Sequence, residues 1–288
     1  MIRKRTGRNK ILCILLAAAA AFSLTACGSS ESSLPDLSSL GTITAIAREE
    51  GSGTKSEFQS LVDTDEEGAD STVLSTDEVL EAVENDINAI GYIAYSALAD
   101  YEEEGIKVLT AGGVECTSEN IADASYPLTR EYIIAYSGTL SELEIDFITY
   151  IRSAGQEVVA QTATPVRKTA AFLSGRYSGT ITISGSSSME TLMEQLIEGY
   201  AQYNPNAEII LEITDSTQGL NAAMQGECDL AISSRSLASY EEELLDYYVI
   251  AADGIAIIVN SENPLEDISI KRLKSIYDGD VSEWEDLE

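Results

Sequence analysis

Residues 181–200 read ITISGSSSMETLMEQLIEGY and contain the pattern on which the fold assignment rests. Residues 181–184 alternate apolar and hydroxyl side chains, as half-buried strands do. Residues 185–188 form a turn of glycine and serines. From Met189 to Tyr200, apolar side chains recur at helical spacing on one face, which predicts an amphipathic helix. The stretch therefore predicts a strand–turn–helix unit, the building block of α/β proteins.

The alternation of strands and helices continues on both sides of this unit. We predict strands at residues 42–47, 89–94, 106–109, 132–136, 181–184, 208–213, 229–232 and 254–259. We predict helices at residues 55–62, 77–84, 141–152, 189–200, 219–224 and 270–277. Residues 164–179 contain Pro165 and two glycines, break this pattern and are expected to link two blocks. The predicted fold class is α/β.

Three turns in this pattern have the residues of a small-anion site. Each lies between a strand and a helix: residues 51–54 (GSGT), 185–188 (GSSS) and 215–217 (DST). Thr54 with Glu57, and Ser187 with Glu190, have the capping-box spacing. Backbone N–H groups, hydroxyl donors and the positive end of a helix dipole together suit an oxyanion. Helix capping alone explains any one of these turns, so both roles stay open.

Two arginines lie close to these turns. Arg48 precedes Ser52 by four residues, and Arg235 follows a predicted strand. The planar guanidinium binds tetrahedral oxyanions at two points. The alternative is a salt bridge to a carboxylate such as Glu49 or Glu50, which is compatible with ligand binding.

Charge and composition exclude several classes of function. The chain of 288 residues has 17 Lys and Arg against 49 Asp and Glu, and five of the 17 lie in the first ten residues. The other 12 against 49 acids give a net charge of −37, which disfavours binding to nucleic acid or anionic lipid. Histidine is absent, which excludes Ser-His-Asp and Cys-His catalysis. The acidic runs at residues 102–104 and 241–243 are expected to be solvated rather than metal sites.

The N-terminus has the features of an export signal. A basic head precedes an apolar run at residues 11–24, which is too short for a transmembrane span. Residues 24–27 (LTAC) resemble the bacterial lipoprotein cleavage box, in which Cys27 becomes the lipid-bearing N-terminus. An ordinary buried cysteine is the alternative. We therefore predict a signal peptide at residues 1–26 and a flexible tether at residues 27–40.

The other two cysteines of the exported part are Cys116 and Cys228. They could pair in an oxidising compartment, but the sequence does not set their separation. Apolar or helical neighbours flank both, so we expect small buried apolar side chains.

Several segments resemble the PstS family, the phosphate-binding subunits of bacterial phosphate ABC importers. Residues 48–54 (REEGSGT) resemble the family signature, and residues 182–188 (TISGSSS) are similar to its opening strand and first phosphate loop. Further similar segments are residues 228–235 (CDLAISSR), 253–260 (DGIAIIVN), 263–265 (NPL), Trp284, 89–92 (AIGY) and 126–130 (YPLTR). The resemblance implies a type II periplasmic-binding-protein-like fold. In that fold two lobes, each a mixed sheet flanked by helices, hold the ligand in the cleft between them.

The order of these segments differs from the family's usual order. The block that normally comes second, residues 41–165, here precedes the block that normally comes first, residues 180–288. The resemblance therefore implies a circular permutation in which residues 164–179 join the old termini. Exposed loops tolerate such breaks, and domain termini often lie close together. A fragment of a longer tandem protein, or halves exchanged between chains, are the alternatives.

The family's architecture also implies lobe boundaries and ligand contacts. One lobe is continuous, residues 131–252, and the other is discontinuous, residues 41–130 plus 253–288. Strands are expected to cross between the lobes near residues 126–131 and 249–254. The phosphate-binding residues implied are Arg48, Ser52, Gly53, Thr54, Ser187, Ser188, Met189 (through its backbone N–H), Ser216, Ser234 and Arg235. A ligand that contacts both lobes favours the closed state.

One residue departs from the family pattern. Some members have an Asp at the position of Arg235, whose carboxylate accepts a proton from phosphate and repels fully ionised sulfate. Arg235 adds attraction but removes that discrimination. Asp215, Asp253 or Glu50 are alternative acceptors, and the sequence does not select among them.

The sequence and the resemblance together predict a lipid-anchored, extracytoplasmic solute-binding protein. It would bind phosphate as a monomer for the permease of an ABC importer, without cofactor, metal, nucleic acid or covalent chemistry. Sulfate or another tetrahedral oxyanion is the alternative ligand. A phosphohydrolase with Ser52 or Ser188 as nucleophile is a second hypothesis, but it lacks an evident base. A surface protein that kept the fold and lost the ligand is a third.

Overall fold

The structure is a computed structural model that describes residues 35–100 and 105–287, without the side chains of residues 99 and 100. The predicted signal peptide, Cys27 and the acidic run at residues 102–104 lie outside the described residues. Residues 34–288 form one compact unit. Within the described part of the chain, no helix is long and apolar enough to cross a membrane.

Strands and helices alternate along the described residues. The strands are β1 (Thr44–Arg48), β2 (Ser71–Val73), β3 (Ala89–Ala94), β4 (Ile106–Val108), β5 (Thr110–Ala111), β6 (Thr129–Tyr136), β7 (Thr164–Pro165), β8 (Gly179–Ser186), β9 (Ala207–Thr214), β10 (Leu230–Ser233), β11 (Asp246–Asn260) and β12 (Asp267–Ile268). The helices are α1 (Gly53–Val62), α2 (Thr76–Glu84), α3 (Ser118–Ala122), α4 (Glu142–Ile151), α5 (Gln156–Thr162), α6 (Glu190–Tyr203), α7 (Ser216–Gln225), α8 (Ser239–Glu242) and α9 (Ile270–Tyr277).

One mixed sheet carries most of these strands, in the order β2-β1-β3-β11-β6-β10-β8-β9. At one side β1 is parallel to β2 and β3, and at the other β8 is parallel to β9 and β10. The central strands β3, β11, β6 and β10 pair antiparallel. The long strand β11 therefore connects the two parallel parts, because its ends pair with β6 and with β3.

The buried apolar side chains form four clusters, which sort by sequence into two groups of two. One group comes from residues 37–128 and 255–287 and is centred on Phe58, Tyr92 and Tyr277. The other comes from residues 132–251. The polar residues that follow β1, β8 and β10 lie where the two groups meet.

Each predicted strand and helix overlaps an observed one, but the short elements β2, β5, β7, β12, α3 and α8 were not predicted, and two longer features were missed as well. The sequence did not predict α5, which follows α4 after a short break at Gly155. It also began the last long strand at Gly254, whereas β11 begins at Asp246. The missed residues of β11 pair with β6, so only the sheet shows that they are extended.

The two ends of the described body are adjacent. The backbone N–H of Ile43 donates to the carbonyl of Ser282 at 2.8 Å, and that of Trp284 donates to the carbonyl of Gly41 at 3.2 Å. The Thr42 hydroxyl donates to the Glu283 carboxylate at 2.9 Å. The predicted linker begins with β7, which pairs with β11, and ends at the first residue of β8.

The two cysteines that the sequence left open are free and half-buried. The expectation that both are fully buried was too strong. Burial raises the pKa of the Cys116 thiol to about 12, with Asp253 adding to the effect. Such a thiol is protonated at neutral pH and is a poor nucleophile.

Candidate anion site

The turn after β8 brings three serines to the end of the strand. Gly185 has φ of 143°, and a Cβ there would lie 2.1 Å from the carbonyl oxygen of Ile232, so the position requires glycine. This close approach packs β8 against β10. Ser186 ends β8, and Ser187 and Ser188 lie in a short 3₁₀ turn before α6.

Five hydroxyl groups from four segments meet beyond this turn, and we call them the hydroxyl cluster: Thr54, Ser186, Ser188, Ser216 and Ser234. The Ser234 hydroxyl lies 2.8 Å from that of Ser186, 3.0 Å from that of Ser188 and 3.5 Å from that of Ser216. The Thr54 hydroxyl lies 3.3 Å from that of Ser188. Each hydroxyl can donate or accept, so the cluster can turn several donors toward one anion.

The start of α1 lies directly against the hydroxyl cluster. A Cβ on Gly53 would lie 2.2 Å from the Ser216 hydroxyl oxygen and 2.4 Å from that of Ser234. Ser52 caps α1, because its hydroxyl accepts from the backbone N–H of Lys55 at 3.3 Å. The backbone N–H of Ser52 already donates to the carbonyl of Glu49 at 3.2 Å. The capping role of Ser52 and the predicted ligand role are still compatible, because a hydroxyl that accepts one hydrogen bond keeps its own hydrogen as a donor.

Arg48 lies at the end of β1 and contacts the serine turn that also carries Ser186 and Ser188 of the hydroxyl cluster. Its side chain is 1% exposed, and its Nη2 lies 3.4 Å from the Ser187 hydroxyl. Its Nε and Nη2 also donate to both carboxylate oxygens of Glu49, at 2.7 and 2.9 Å. The salt bridge that the sequence offered as an alternative is therefore present, beside the contact with the serine turn.

Ser216 and Met189 occupy the starts of the other two helices. The Ser216 hydroxyl, at the first residue of α7, accepts from the backbone N–H of Ser234 at 3.2 Å. Asp215 caps α7 through the N–H of Gln218 at 2.8 Å. The Met189 side chain is fully buried in the second apolar group, so only its backbone remains for the predicted ligand contact.

The resemblance implies Arg235 as an anion ligand, but its guanidinium hydrogen-bonds to Glu241 and, at 3.3 Å, to the Thr217 hydroxyl rather than to the hydroxyl cluster. Its Nη1 and Nη2 each donate at 2.8 Å to a different oxygen of Glu241. Glu241 is fully buried, so the prediction of a solvated acidic run at residues 241–243 was wrong for this residue. Burial opposes ionisation, but the hydrogen bond from Arg235 holds the pKa of Glu241 below its ordinary value.

Arg130 is the charged residue that the sequence prediction missed. Its side chain is fully buried, and its Nη1 donates to the Thr54 hydroxyl at 2.8 Å and to the Ser234 carbonyl at 3.3 Å. Its Nε and Nη2 donate to one oxygen of Asp253 at 3.0 and 2.8 Å. Burial by itself lowers the pKa of Arg130, but the nearby Tyr132 and Asp253 oxygens raise it above the ordinary value. The sequence feature that could have identified Arg130 is its position in an otherwise largely apolar strand, where a charged side chain needs a buried partner.

Asp253, Glu50 and Asp215 are the candidate acceptors of a proton from phosphate, and they differ in exposure and in the hydrogen bonds they already make. Asp253 is fully buried and also accepts from Tyr132 at 2.7 Å and from the N–H of Ser96 at 2.9 Å. Glu50 is 90% exposed and pairs with Lys55, while Asp215 is occupied in capping α7. Among the residues that the structure describes, no carboxylate hydrogen-bonds to the hydroxyl cluster.

A cavity of about 290 Å³ opens beside the serine turn. Ser187 and Ser188 line one side of it, and Thr76, Ser96 and Asp77 line the other. The hydroxyl cluster itself is closed, because its members contact one another. A bound anion would therefore replace hydroxyl–hydroxyl contacts with hydroxyl–anion contacts.

Comparisons with known proteins cover both halves of the chain. Residues 161–288 match a family described as PBP superfamily domain. The phosphate-binding protein PstS 2 of Streptococcus pneumoniae is 33% identical over 292 residues, which span 97% of this chain and 99% of that protein. PstS 2 of Streptococcus agalactiae is 34% identical over 92% of each.

Two further comparisons, one with a crystal structure and one with a sequence, differ in how much of this chain they cover. A crystal structure of a phosphate-binding protein of a phosphate ABC transporter from Streptococcus pneumoniae superimposes with a TM-score of 0.72 at 33% identity, covering 86% of this chain and 100% of that one. The phosphate-binding protein PstS of Bacillus subtilis is 32% identical, but over only 115 residues, 38% of each chain.

Proposed function

This chain belongs to the PstS family of phosphate-binding proteins, and from this premise we propose that it captures inorganic phosphate for the permease of an ABC importer. Its fold is the periplasmic-binding-protein-like α/β fold that the sequence predicted. The observation that carries the proposal is the meeting of Thr54, in the first turn of α1, with Ser188 and Ser234, which follow β8 and β10. These hydroxyls come from distant parts of the chain and converge on one point.

The site would bind phosphate by hydrogen bonds and by the buried guanidinium of Arg48, while Arg130 would hold the Thr54 hydroxyl in place. Hydroxyl groups of the cluster would donate to the phosphate oxygens, and the N–H groups at the starts of α1 and α7 would add the positive ends of two helix dipoles. Arg48 would contribute a charge-assisted hydrogen bond, which is shorter and stronger than a neutral one. Its pairing with Glu49 lowers the net charge of the site, so neutral donors carry much of the recognition.

We propose that binding involves no covalent step. The Ser188 hydroxyl contacts other hydroxyls, and the Ser52 hydroxyl accepts from a backbone N–H. Activation of a serine requires an adjacent base that accepts its proton. In the described ranges, no carboxylate and no lysine ammonium group hydrogen-bonds to either hydroxyl, which disfavours the phosphohydrolase hypothesis.

The two apolar groups support a division into two lobes with the boundaries predicted from the resemblance, residues 41–130 plus 253–288 and residues 131–252. Arg130 and Asp253 are paired residues of β6 and β11 at that boundary. Rotation about these strands would open the cleft, and a ligand that contacts both lobes would close it. Small-angle scattering with and without phosphate tests this: compaction supports closure, and identical profiles contradict it.

A circular permutation is supported by the adjacent ends of the body and by the pattern of similarity. The match to Streptococcus pneumoniae PstS 2 runs along almost the whole of both chains, whereas the match to Bacillus subtilis PstS covers 38% of each. A chain that starts at Gly179, joins Leu287 to Gly41 through a short glycine linker and ends at Pro165 tests it. We expect this rearranged chain to fold and to bind phosphate with unchanged affinity.

We further propose that Cys27 carries a lipid that anchors the protein at the extracytoplasmic face of the membrane, where it acts as a monomer. Metabolic labelling with a radioactive fatty acid tests this, with Cys27→Ala as the variant that should lose the label. Retention of the label in that variant would refute attachment at this cysteine.

Equilibrium dialysis of radiolabelled phosphate against residues 28–288, with sulfate as competitor, tests the ligand. We expect saturable binding of one phosphate per chain and no turnover of a phosphoester. Sulfate is the second candidate ligand, because no described carboxylate contacts the hydroxyl cluster to repel a fully ionised anion. Equal competition by sulfate would favour a general tetrahedral-oxyanion site, and absence of binding would refute the proposed function.

A further inference from the structure

The linker between α5 and β8 differs in charge from the rest of this acidic protein. From Val158 to Met189 the sequence contains no Asp or Glu, but it contains Arg167, Lys168 and Arg176. At least six of the 12 cations of the described body form salt bridges with carboxylates: Arg48, Lys55, Lys107, Arg130, Arg235 and Lys274. The three linker cations form no ion pair with any described residue.

The linker is exposed but held in a fixed path, and we call residues 166–178 the basic ridge. The side-chain oxygen of Gln156 accepts from the N–H groups of Val166 and Arg167, both at 3.1 Å. Further along, the Asp146 carboxylate accepts from the Ser174 hydroxyl at 2.6 Å and the Gly175 N–H at 2.9 Å. These contacts press one side of the ridge onto α4 and α5 and turn its cations outward.

Arg152 extends the positive charge beneath the ridge. Its guanidinium lies 4.1 Å from the centre of the Tyr248 ring. Burial and the nearby positive charge of Arg167 lower the pKa of Arg152, so the two cations repel each other without a carboxylate between them. Like charges held together in this way gain free energy when an anion binds between or above them.

The ridge also exposes one large apolar side chain. Leu173 is 93% exposed, the highest exposure among the large apolar residues of the described body. Its neighbour Phe172 packs inward against Tyr150 and Tyr203, with ring centroids 5.5 and 5.4 Å apart. Phe172 thus fixes the backbone so that Leu173 points away from the protein. In the sequence, Leu173 lies between Lys168 and Arg176.

We propose that the basic ridge is the surface by which the body rests on an anionic lipid bilayer. Cations near the headgroups with an apolar side chain between them are the elements of interfacial membrane binding. The inference uses the proposed lipid anchor, which holds the body at the membrane, but it does not use the phosphate site. A negative result for vesicle binding would therefore leave the proposed phosphate site intact, and a negative result for phosphate binding would leave the membrane proposal intact.

The net charge of −37 opposes binding of the ridge to an anionic bilayer only through those acidic side chains that lie close to the lipid surface. At physiological salt, charges farther than roughly 8 Å from the lipid surface are largely screened, whereas the ridge cations act at contact. The prediction that the whole surface repels anionic headgroups therefore holds for the acidic faces and not for the ridge. A body tethered at its N-terminus would turn its least acidic face toward the membrane.

Sedimentation with lipid vesicles at physiological ionic strength, where the acidic faces are screened, tests the proposal. We expect residues 28–288 to bind vesicles of phosphatidylglycerol and not vesicles of phosphatidylcholine. Each cation near the surface contributes about 1 kcal/mol, so R167Q/K168Q/R176Q should reduce partitioning roughly a hundredfold. Leu173→Ser should also reduce it. Phosphate binding by both variants should be unchanged, which checks that they are folded.

Lys271→Gln is the matched control, because Lys271 is exposed at the start of α9 and forms no ion pair with the described residues. It should bind vesicles like the unmodified protein. Equal loss with Lys271→Gln, undiminished binding of the triple variant, or no binding to phosphatidylglycerol would each overturn the proposal. In the last case, an acidic protein partner would be the occupant to test next.

Discussion

Two buried arginine–carboxylate pairs flank the anion site and have different roles. Arg130 and Asp253 lie on paired strands, are both fully buried and connect to the hydroxyl cluster through Thr54. Arg235 and Glu241 are six residues apart, and Arg235 is 11% exposed. The first pair joins residues far apart in the sequence, whereas the second closes a local loop after β10.

The difference shows that an arginine's position in a motif does not determine its role. Arg235 directly follows a cluster serine, yet a nearby carboxylate binds its guanidinium. Arg130 lies far from every serine turn in the sequence, yet it donates to Thr54 and lies beside Ser234. Which arginine reaches the cluster depends on which carboxylates fold close to it.

The largest effect is expected from removing one member of the deeply buried pair. Arg130→Ala leaves Asp253 charged and unpaired in the interior, which should lower the free energy of unfolding by about 3–5 kcal/mol and abolish phosphate binding. Urea unfolding measures the first effect. The double variant Arg130→Met/Asp253→Leu should regain most of the stability without regaining binding. A loss below about 1 kcal/mol for Arg130→Ala would contradict the role given to this pair.

Glu66 extends the comparison to a buried carboxylate that has no arginine. It lies 3.9 Å from the ammonium of Lys55, and burial raises its pKa from 4.5 to about 7, against the opposing effects of Tyr92 and Lys55. The folded state thus prefers the protonated form. The associated stability is present below about pH 4.5 and is lost as the pH rises through about 7.

We therefore expect Glu66→Gln to stabilise the protein at pH 8 by up to about 3 kcal/mol and to flatten its stability between pH 4.5 and 7. Urea unfolding across this pH range measures the effect. The neighbouring Glu67 is exposed, so Glu67→Gln should leave the pH profile unchanged. A Glu66→Gln variant that is less stable than the unmodified protein at pH 8 would show that the folded state prefers the ionised form.

Arg48→Ala tests whether the pairing with Glu49 leaves Arg48 free to bind the ligand. A hydrogen bond to a charged group contributes about 1.5–3 kcal/mol, so phosphate affinity should fall roughly ten- to a hundredfold while the protein stays folded. Isothermal titration calorimetry measures the affinity, with Thr76→Ala as the control, since Thr76 touches the same guanidinium at 3.3 Å. Unchanged affinity in both Arg48→Ala and Ser52→Ala would refute the site.

The smallest effect is expected from the local pair. Arg235→Met combined with Glu241→Gln removes both charges together, and phosphate affinity should change less than about threefold, or 0.6 kcal/mol. The same calorimetric titration measures it. A tenfold loss would mean that Arg235 leaves Glu241 when phosphate binds, as the sequence-based site predicted.

Much of the fold was predictable because local patterns follow burial. The apolar residues on one face of 189–200 predicted α6, because a helix buried on one side has apolar residues at helical spacing. The apolar run at residues 89–94 predicted β3, which is buried along its whole length. The first half of β11 was not predictable in the same way. Its residues 246–249 (DYYV) are polar or only partly buried, and they are extended because β6 pairs with them.

The candidate site was predictable to the extent that helix starts mark it. The resemblance to the PstS family implied four members of the hydroxyl cluster, Thr54, Ser188, Ser216 and Ser234. The first three also lie in the turns that the strand–helix pattern marked independently. The predicted site omitted Ser186, the last residue of β8, because a serine at a strand end carries no distinctive spacing. Its hydroxyl joins the cluster only because Gly185 lets β8 approach β10 closely.

The sequence by itself determined the alternation of strands and helices, the serine turns at helix starts and the excess of negative charge, because each is a property of neighbouring residues. The tertiary structure decided which arginine reaches the hydroxyls, which glutamate of an acidic run is buried, and that Gly41 and Trp284 meet. Each of these depends on residues far apart in the chain, whose encounter is set by the pairing of β11 with β3 and β6. The sequence therefore indicates the candidate hydrogen-bond donors, and the pairing of distant strands determines which of them lie together in the anion site.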